Sequence, residues 1–401
     1  MRRGVPERAL RDAERHDPRA DVDDRHRRLR QRDRVQGAAQ HHRRVRRRAE
    51  RNRQDLNRSD KEVPYTILYP DNRPSDMGIE KEVTGSDVVY INPCKTRFED
   101  VELEAWEKCD AIVVRRVHID DKVIPHLKRA RIVVRMGVGF DVVDLEACGA
   151  AGIAVCNVPD YGTTEVADSA IAMMLAFARG TAACDAALRA DLRNSWTHLN
   201  NVTARRLRGA TFGVIGFGRI GTAAALRAQA FGMSVAFYDP YLPNGAELSF
   251  GYTRTRKLPD LLAMADVISI HAPLTRETRG LISASAVAAM KQGAYLINTA
   301  RGPICDTAAL LEGLKAGKLA AVGLDVLPKE PASLDDPLVA AWHRNEPWIR
   351  GRVLLNAHTG FYSPDALADM RRKSIETAYY YLRDGRLENC VNAEYLKRRR
   401  S

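Results

Sequence analysis

Three short segments in the C-terminal half carry side chains able to bind an anion and protonate an oxygen. NTARGP (298–303) places Arg301 just beyond an apolar, β-branched run, GLDVLPKEP (323–331) places Asp325 and Glu330 beyond a second, and NAHTGFYS (356–363) places His358 beyond a third. A guanidinium grips a carboxylate through paired hydrogen bonds, an imidazole gives or takes a proton near neutral pH, and a neighbouring carboxylate can hold that imidazole in place. Taken singly, each has an ordinary structural explanation: Arg301 as a surface ion-pair partner, Glu330 as a solvated loop acid, His358 as a corner residue. Their shared position after strand-like runs gives them weight, because open parallel sheets bind ligands outside the carboxyl ends of their strands.

Upstream, VIGFGRIG (214–221) follows another apolar run and opens an Ala-rich stretch, so Gly216, Gly218 and Gly221 stand as G-x-G-x-x-G, with Arg219 and Ile220 at the head of the coming helix. In such a loop the first glycine permits a tight turn, the second lets the backbone approach a pyrophosphate, and the third brings helix against strand, while the helix N-terminus attracts the anion. The motif alone is common. Here Asp239 ends the next apolar run, about 20 residues on, where a ribose-binding carboxylate belongs. A carboxylate accepts from both ribose hydroxyls and repels a 2′-phosphate, so the expected cofactor is NAD, not NADP. Arg254 and Arg256 lie too far along to be phosphate binders. With a nicotinamide carrying the hydride, a cation for a carboxylate and a proton donor for a ketone oxygen complete the needs of 2-oxo acid reduction.

The elements that must position these groups alternate from Pro64 onward between β-branched runs and helical patterns, the signal of βαβ units and parallel sheets. A first group of strands is expected at YTILYP (65–70), AIVVRR (111–116), RIVVRMG (131–137) and GIAVCNVP (152–159). TTEVADSAIAMMLAFARG (163–180) reads as a connecting helix, with Met173, Met174 and Phe177 packing a core or a subunit interface. A second group follows at TFGVIGFG (211–218), SVAFYDP (234–240), DVISIHAP (266–273), AYLINTA (294–300), AAVGLDV (320–326) and VLLNAH (353–358). A last helix, about 364–383, has no evident packing partner. The fold class is α/β, with two Rossmann-like or flavodoxin-like doubly wound parallel sheets.

On RMGVGFDVVD (135–144), GIAVCNVP, VADS (166–169), GFGRIG (216–221), FYDPYL (237–242), HAPLT (271–275), NTARG, GLDV, KEP (329–331), HTGFYS (358–363) and ENCVN (388–392), the chain from about residue 63 to 391 resembles the D-isomer-specific 2-hydroxyacid dehydrogenases, and among them the C-terminal-binding-protein-type branch. The resemblance implies catalytic roles for Arg301, Glu330 and His358: Arg301 grips the substrate carboxylate, His358 donates the proton, and Glu330 pairs with the imidazole and keeps it charged. It implies that Val138 and Gly139 offer backbone amides to that carboxylate, that Arg135 adds a second cation, and that Phe361 walls the pocket. Thr299, Ala300, Asp325 and Gly360 would line the nicotinamide end, with His271 and Pro273 on the ribose side. It further implies a discontinuous substrate domain, 61–160 with 359–401, around an NAD-binding domain, 161–358, hinged near Tyr161 and Thr359, and a homodimer. Ala357 replaces a usual proline, Leu327 a frequent Phe, and Phe361 the tryptophan of the animal members of the branch. The stretch 335–352 is longer than the family's usual connection and could cap the cleft or pack on the surface.

A chain of 401 residues, 45% hydrophobic, has room for two cores. Its net charge of +12 is concentrated in residues 1–60, where twenty Arg face eleven Asp and Glu without one Phe, Tyr, Trp, Ile or Cys. Such a segment cannot bury enough apolar surface to order itself, so a disordered extension is expected. Runs such as HHRRVRRR (41–48) suit a nucleic-acid arm, but the interspersed acids and the lack of stacking aromatics argue against nucleic acid as a partner. The segment also lacks the apolar stretch of a secretory signal. Seven scattered Cys, with no CxxC and no His/Cys cluster at metal spacing, point to reduced thiols, no metal and a cytoplasmic protein, with Cys156 and Cys305 as small apolar fillers. No run is long and apolar enough for a membrane span. A reading from another class is an NAD(H)-regulated interaction protein resembling the corepressors of the same branch; the intact Arg301, Glu330 and His358 favour an enzyme on a small anionic 2-oxo or 2-hydroxy acid.

Overall fold

The computed structural model describes residues 64–71, 76–396 and 399–400; the expected Arg-rich extension at 1–60 lies outside them. Two parallel sheets organise the chain. The first contains β1 (Tyr65–Leu68), β2 (Val88–Ile91), β3 (Ala111–Val114), β4 (Ile132–Arg135) and β5 (Ala154–Asn157) in the order β2-β1-β3-β4-β5. The second contains β6 (Thr211–Ile215), β7 (Ser234–Tyr238), β8 (Thr253–Thr255), β9 (Val267–Ile270), β10 (Ala294–Asn298), β11 (Leu319–Leu324) and β12 (Val353–Leu355) in the order β12-β11-β10-β9-β6-β7-β8. Both orders reverse direction once, at β1/β3 and at β6/β9. In doubly wound sheets the ligand crevice opens at that switch point.

Connecting helices cover both faces of each sheet. Within the first sheet these are α1 (Gly78–Thr84), α2 (Leu103–Lys108) and α3 (Leu145–Ala150); α4 (Thr163–Arg179) and α5 (Thr181–Ala190) lead to the second. There α6 (Arg219–Ala230), α7 (Leu258–Met264), α8 (Ala284–Ala289), α9 (Thr307–Lys315) and α10 (Pro337–His343) join the strands, and α11 (Pro364–Asp384) ends the series. α11 starts at Pro364 with the Ser363 hydroxyl accepting from the Ala366 amide at 2.9 Å, and stops at Gly385, whose φ of 67° is left-handed. It packs on the first sheet, burying Met370, Ile375, Ala378, Tyr379 and Leu382 with Val113, Val134 and Ala154. At about 1.5–3 kcal/mol per buried large apolar side chain, that face alone anchors the helix there.

On α4, Met173, Met174 and Phe177 are buried beside Tyr295, Ile297 and Ala321 of the second sheet, so they are core of this chain. The segment 335–352 does not cap the cleft: Leu338, Val339, Ala341 and Ile349 enter the core of the second sheet, and Asp336 caps α10 by accepting from the Leu338 amide at 2.9 Å. The expected strands coincide with β1, β3–β7 and β9–β12, each of which is shorter than its expected run by one to four residues in all. Of the residues left over, those past β6, β9, β10, β11 and β12 have left the ladder to form loops of the site. Two edge strands lie outside the expected set: β8 (TRT) carries no apolar run, whereas the run VVYI of β2 is continuous and could have been read as a strand.

Candidate active site

The glycine loop leaves β6 at the switch point. Gly216 sits at φ 86° with its α-carbon against β9's exit; a β-carbon there would lie 2.6 Å from the Ala272 amide. A β-carbon at Gly221 would strike the Gly216 carbonyl, which explains the close seating of α6 on β6, whereas one at Gly218 would meet nothing. The open side at Gly218, next to the uncapped first turn of α6 with Arg219 and Ile220, leaves room for an anion at the helix N-terminus. Asp239 leans on this loop: its carboxylate accepts from the Phe217 amide at 2.9 Å and the Tyr241 amide at 3.0 Å. Arg254 is spent underneath, its buried guanidinium donating to the carbonyls of Asp239 (2.8 Å), Leu242 (2.7 Å) and Pro243 (2.8 Å).

Two polar atoms on neighbouring strand exits stay unpartnered among the described residues: His271 Nδ1, ahead of Pro273, and the Thr299 hydroxyl, beside Ala300. Burial pushes the His271 imidazole down to about 4, so it is neutral at physiological pH, and its Nε2 shares a hydrogen bond of 2.8 Å with Ser269 Oγ. Buried polar atoms ordinarily find partners. Orphans on two adjacent strand exits suit a polar cofactor in the groove.

At the exits of β11 and β12, His358 Nδ1 and Glu330 Oε2 are 2.8 Å apart, and Glu330 Oε1 accepts from the Leu327 amide at 3.1 Å. Burial alone would raise the Glu330 carboxyl, but the His358 hydrogen bond and charge, the Leu327 amide and Arg301 outweigh it and hold it below its ordinary value. His358 adopts φ 54°. Asp325 enforces that conformation: its carbonyl accepts from the His358 amide at 2.8 Å, and its buried carboxylate accepts from the amides of Thr359 (2.9 Å) and Gly360 (3.0 Å). The Asp325 carboxylate is therefore committed to the backbone that carries the histidine.

Arg301 crosses from the second sheet to the first. Its Nε donates to Asp141 at 2.8 Å, and its guanidinium lies so close to Gly139 that a β-carbon there would collide with it. Asn157 holds the same turn, its amide donating to the Val138 carbonyl at 2.6 Å. Arg135 flanks Gly137 in the same way. Its Nε is buried without a partner among the described residues, and its guanidinium is pushed down to about 10, first by burial and then by the like charge of Arg301, while remaining cationic at neutral pH. Arg115, at the exit of β3, stands 5.9 Å from the Phe361 ring centroid, and Tyr161 packs edge-on against Phe361 with centroids 5.9 Å apart. Two guanidiniums, Arg301 and Arg135, thus act on one carboxylate, Asp141, and the imbalance favours an anionic ligand.

The sequence does not single out Arg115, Asp141 or Asn157, and it marks Tyr161 only as a hinge crossing, not as a wall of the site. The strand-exit rule that picked out Arg301 also picks out Arg115 when applied to the first sheet, and Asp141 lies two residues past Gly139. Asp71, at the exit of β1, meets the same rule, but its role does not follow from it. Its carboxylate accepts from the amides of Arg115 (3.0 Å), Arg116 and Val117 (2.8 Å), fixing the loop that presents Arg115. Among the described residues no group of His, Cys, Asp and Glu is arranged to hold a metal, and no single helix is long and apolar enough to cross a membrane.

The chain is similar to known proteins in sequence and fold. Residues 171–360 match the family model described as D-isomer specific 2-hydroxyacid dehydrogenase, NAD binding domain. The D-3-phosphoglycerate dehydrogenase of Archaeoglobus fulgidus is 43% identical over 236 residues, 58% of this chain and 43% of the relative. That of Methanocaldococcus jannaschii is 39% identical over 291 residues, 72% of this chain and 53% of the relative. The chain thus spans about half the length of these curated relatives. Among solved structures, the TT0316 protein from Thermus thermophilus superposes with a TM-score of 0.70 at 32% identity, covering 81% of this chain and 99% of the other.

Proposed function

Because this chain belongs to the D-isomer-specific 2-hydroxyacid dehydrogenase family, we propose that it moves a hydride between NAD(H) and a small anionic acid, interconverting a 2-oxo acid and a D-2-hydroxy acid. The observation that carries the reading is the meeting of Arg301 with the Gly139 turn across the two sheets, beside the Glu330 and His358 pair.

Bound NADH supplies the hydride. Arg301 and the amides of Val138 and Gly139 receive the substrate carboxylate, Arg135 adds charge, and Phe361 closes the apolar side. His358, oriented through Nδ1 by Glu330, gives a proton from Nε2 to the ketone oxygen and takes it back in the reverse direction. Asp239 would accept from the ribose hydroxyls, Gly216, Gly218, Arg219, Ile220 and Gly221 would cradle the pyrophosphate, and His271 and Pro273 would border the ribose. Thr299, Ala300 and Gly360 would line the nicotinamide end, with Asp325 acting through the backbone it anchors.

Residues 61–160 with 359–401 form the substrate half and 161–358 the cofactor half. The crossings between the halves lie side by side, Tyr161 on Phe361 and the Ser169 hydroxyl donating to the Gly360 carbonyl at 3.0 Å, which suits a hinge whose closure excludes water. Exposed Leu192, Trp196, Leu199 and Val202 on one arm suit a homodimer, and seven unbridged thiols suit the cytoplasm. Arg135 and the HTGFYS segment support the C-terminal-binding-protein-type branch.

The test is to mix the protein with NADH or NADPH and pyruvate, glyoxylate, hydroxypyruvate, branched-chain and aromatic 2-oxo acids or phosphohydroxypyruvate, following loss of reduced-nicotinamide absorbance. Turnover of at least one acid, with NADH preferred, is expected. NADH binding without turnover of any of them would overturn the reading.

A further inference from the structure

Although the cysteines are scattered in the sequence, two of them meet. β5 is an edge strand, and the chain following α11 pairs with it antiparallel, setting Cys390 directly opposite Cys156. The flanking bonds run from the Val391 amide to the Val155 carbonyl (2.8 Å) and from the Asn157 amide to the Asn389 carbonyl (3.3 Å). The two cysteines therefore occupy the narrow, non-hydrogen-bonded site of the ladder, where α-carbons stand about 4.5 Å apart and side chains leave on the same face. A disulfide spans α-carbons about 4.4–6.8 Å apart, so this one could close with little movement of the backbone. The register is held by buried Asn392, which accepts from the Val155 amide at 2.8 Å and donates to the Ile153 carbonyl at 3.0 Å.

We propose that Cys156 and Cys390 form a peroxide-oxidisable dithiol, a modification site that fastens the segment after α11 to the first sheet and bears on the substrate-binding turn. Cys390 is partly exposed and Cys156 fully buried, so an oxidant reaches Cys390 first. Pairing with Cys156, nearby backbone amides and the charge of Arg399 hold Cys390 down to about 6 against the opposing effect of burial, and Cys156 is pushed up; Cys390 Sγ also stands 3.4 Å from Asn392 Oδ1. Cys390 is then the thiolate that attacks. It displaces one oxygen of hydrogen peroxide, forming a sulfenic acid and releasing hydroxide. The Cys156 sulfur attacks the Cys390 sulfur and expels the second hydroxide, and the two thiol protons convert both to water. Two thiols and one peroxide thus yield one disulfide and two waters. Cys156 adjoins Asn157, whose amide holds the Val138 carbonyl at 2.6 Å, so the new bond acts one residue from the turn that receives the substrate carboxylate.

The full chain is treated with a small excess of hydrogen peroxide, blocked with N-ethylmaleimide, digested without reduction and analysed by mass spectrometry. The expected product is one Cys156–Cys390 cross-linked peptide, reversed by dithiothreitol and absent from Cys390→Ser and from Cys156→Ala. Overoxidation of Cys390 without the link, or a link between other cysteines, overturns the site. A reversible change of about 3-fold or more in KM for the 2-oxo acid, absent from Cys390→Ser, is expected on oxidation. This kinetic arm rests on the dehydrogenase reading, and an unchanged KM overturns the coupling to the turn. The peptide link is read without turnover, so failure of the dehydrogenase reading leaves that arm standing.

Discussion

His358 is held from two directions, Glu330 taking Nδ1 and the Asp325 carbonyl taking its amide, which leaves Nε2 as the nitrogen that would meet a ketone oxygen in the proposed reaction. Replacing it should therefore cost chemistry and spare binding. His358→Asn, a residue that tolerates the left-handed backbone at this position, is expected to lower kcat by about 10² or more, with NADH affinity close to that of the unchanged protein. Stopped-flow turnover and fluorescence titration of NADH check this; near-normal kcat removes His358 from the mechanism. At this scale the sequence was most legible in position: Arg301, Glu330 and His358 do follow strand ends, and Glu330 does meet His358. It was least legible where the partner is distant along the chain: Arg301 and Asp141 are 160 positions apart, and Asp71 and Arg115 are 44 apart. No local pattern announces a carboxylate whose role is to catch backbone amides from another strand's exit.

Among the elements, the crossing after β12 depends on β11 for its shape. Asp325 ends β11 and satisfies three successive backbone amides of the crossing, two with its carboxylate and one with its carbonyl. Asp325→Ala removes the carboxylate and leaves two amides without their acceptor, at about 1–3 kcal/mol for each buried one. The expected result is a melting temperature lowered by several degrees, read by calorimetry, together with reduced kcat as the histidine's backbone loosens. An unchanged melting temperature would mean that the crossing holds itself. Strand order could not be read from the sequence, because periodicity marks a strand but not its neighbour. The destination of α11 was hidden for the same reason: its apolar face suits either sheet, and the return of the chain to the first sheet decides.

For the whole molecule, the exposed arm after α5 is where an assembly would form. Trp196 is 79% exposed and Leu199 71%, too much apolar surface in one short segment for a face meant only for water. The intact protein is expected to run as a dimer in light scattering and Trp196→Glu as a monomer; a monomeric intact protein would reassign the arm. The two-sheet architecture itself was legible, because alternating strands and helices leave few other folds.

The turn bearing Asp239 has a consequence for anyone who wishes to retool the cofactor groove. Removing that carboxylate would end the repulsion of a 2′-phosphate, yet the adjacent cation, Arg254, is already bonded to three carbonyls and buried beneath the turn it supports. Recruiting it would dismantle the groove. A conversion to NADPH must therefore import a new positive charge on the outer side of the turn, near Tyr241, and leave the buried arginine as scaffolding.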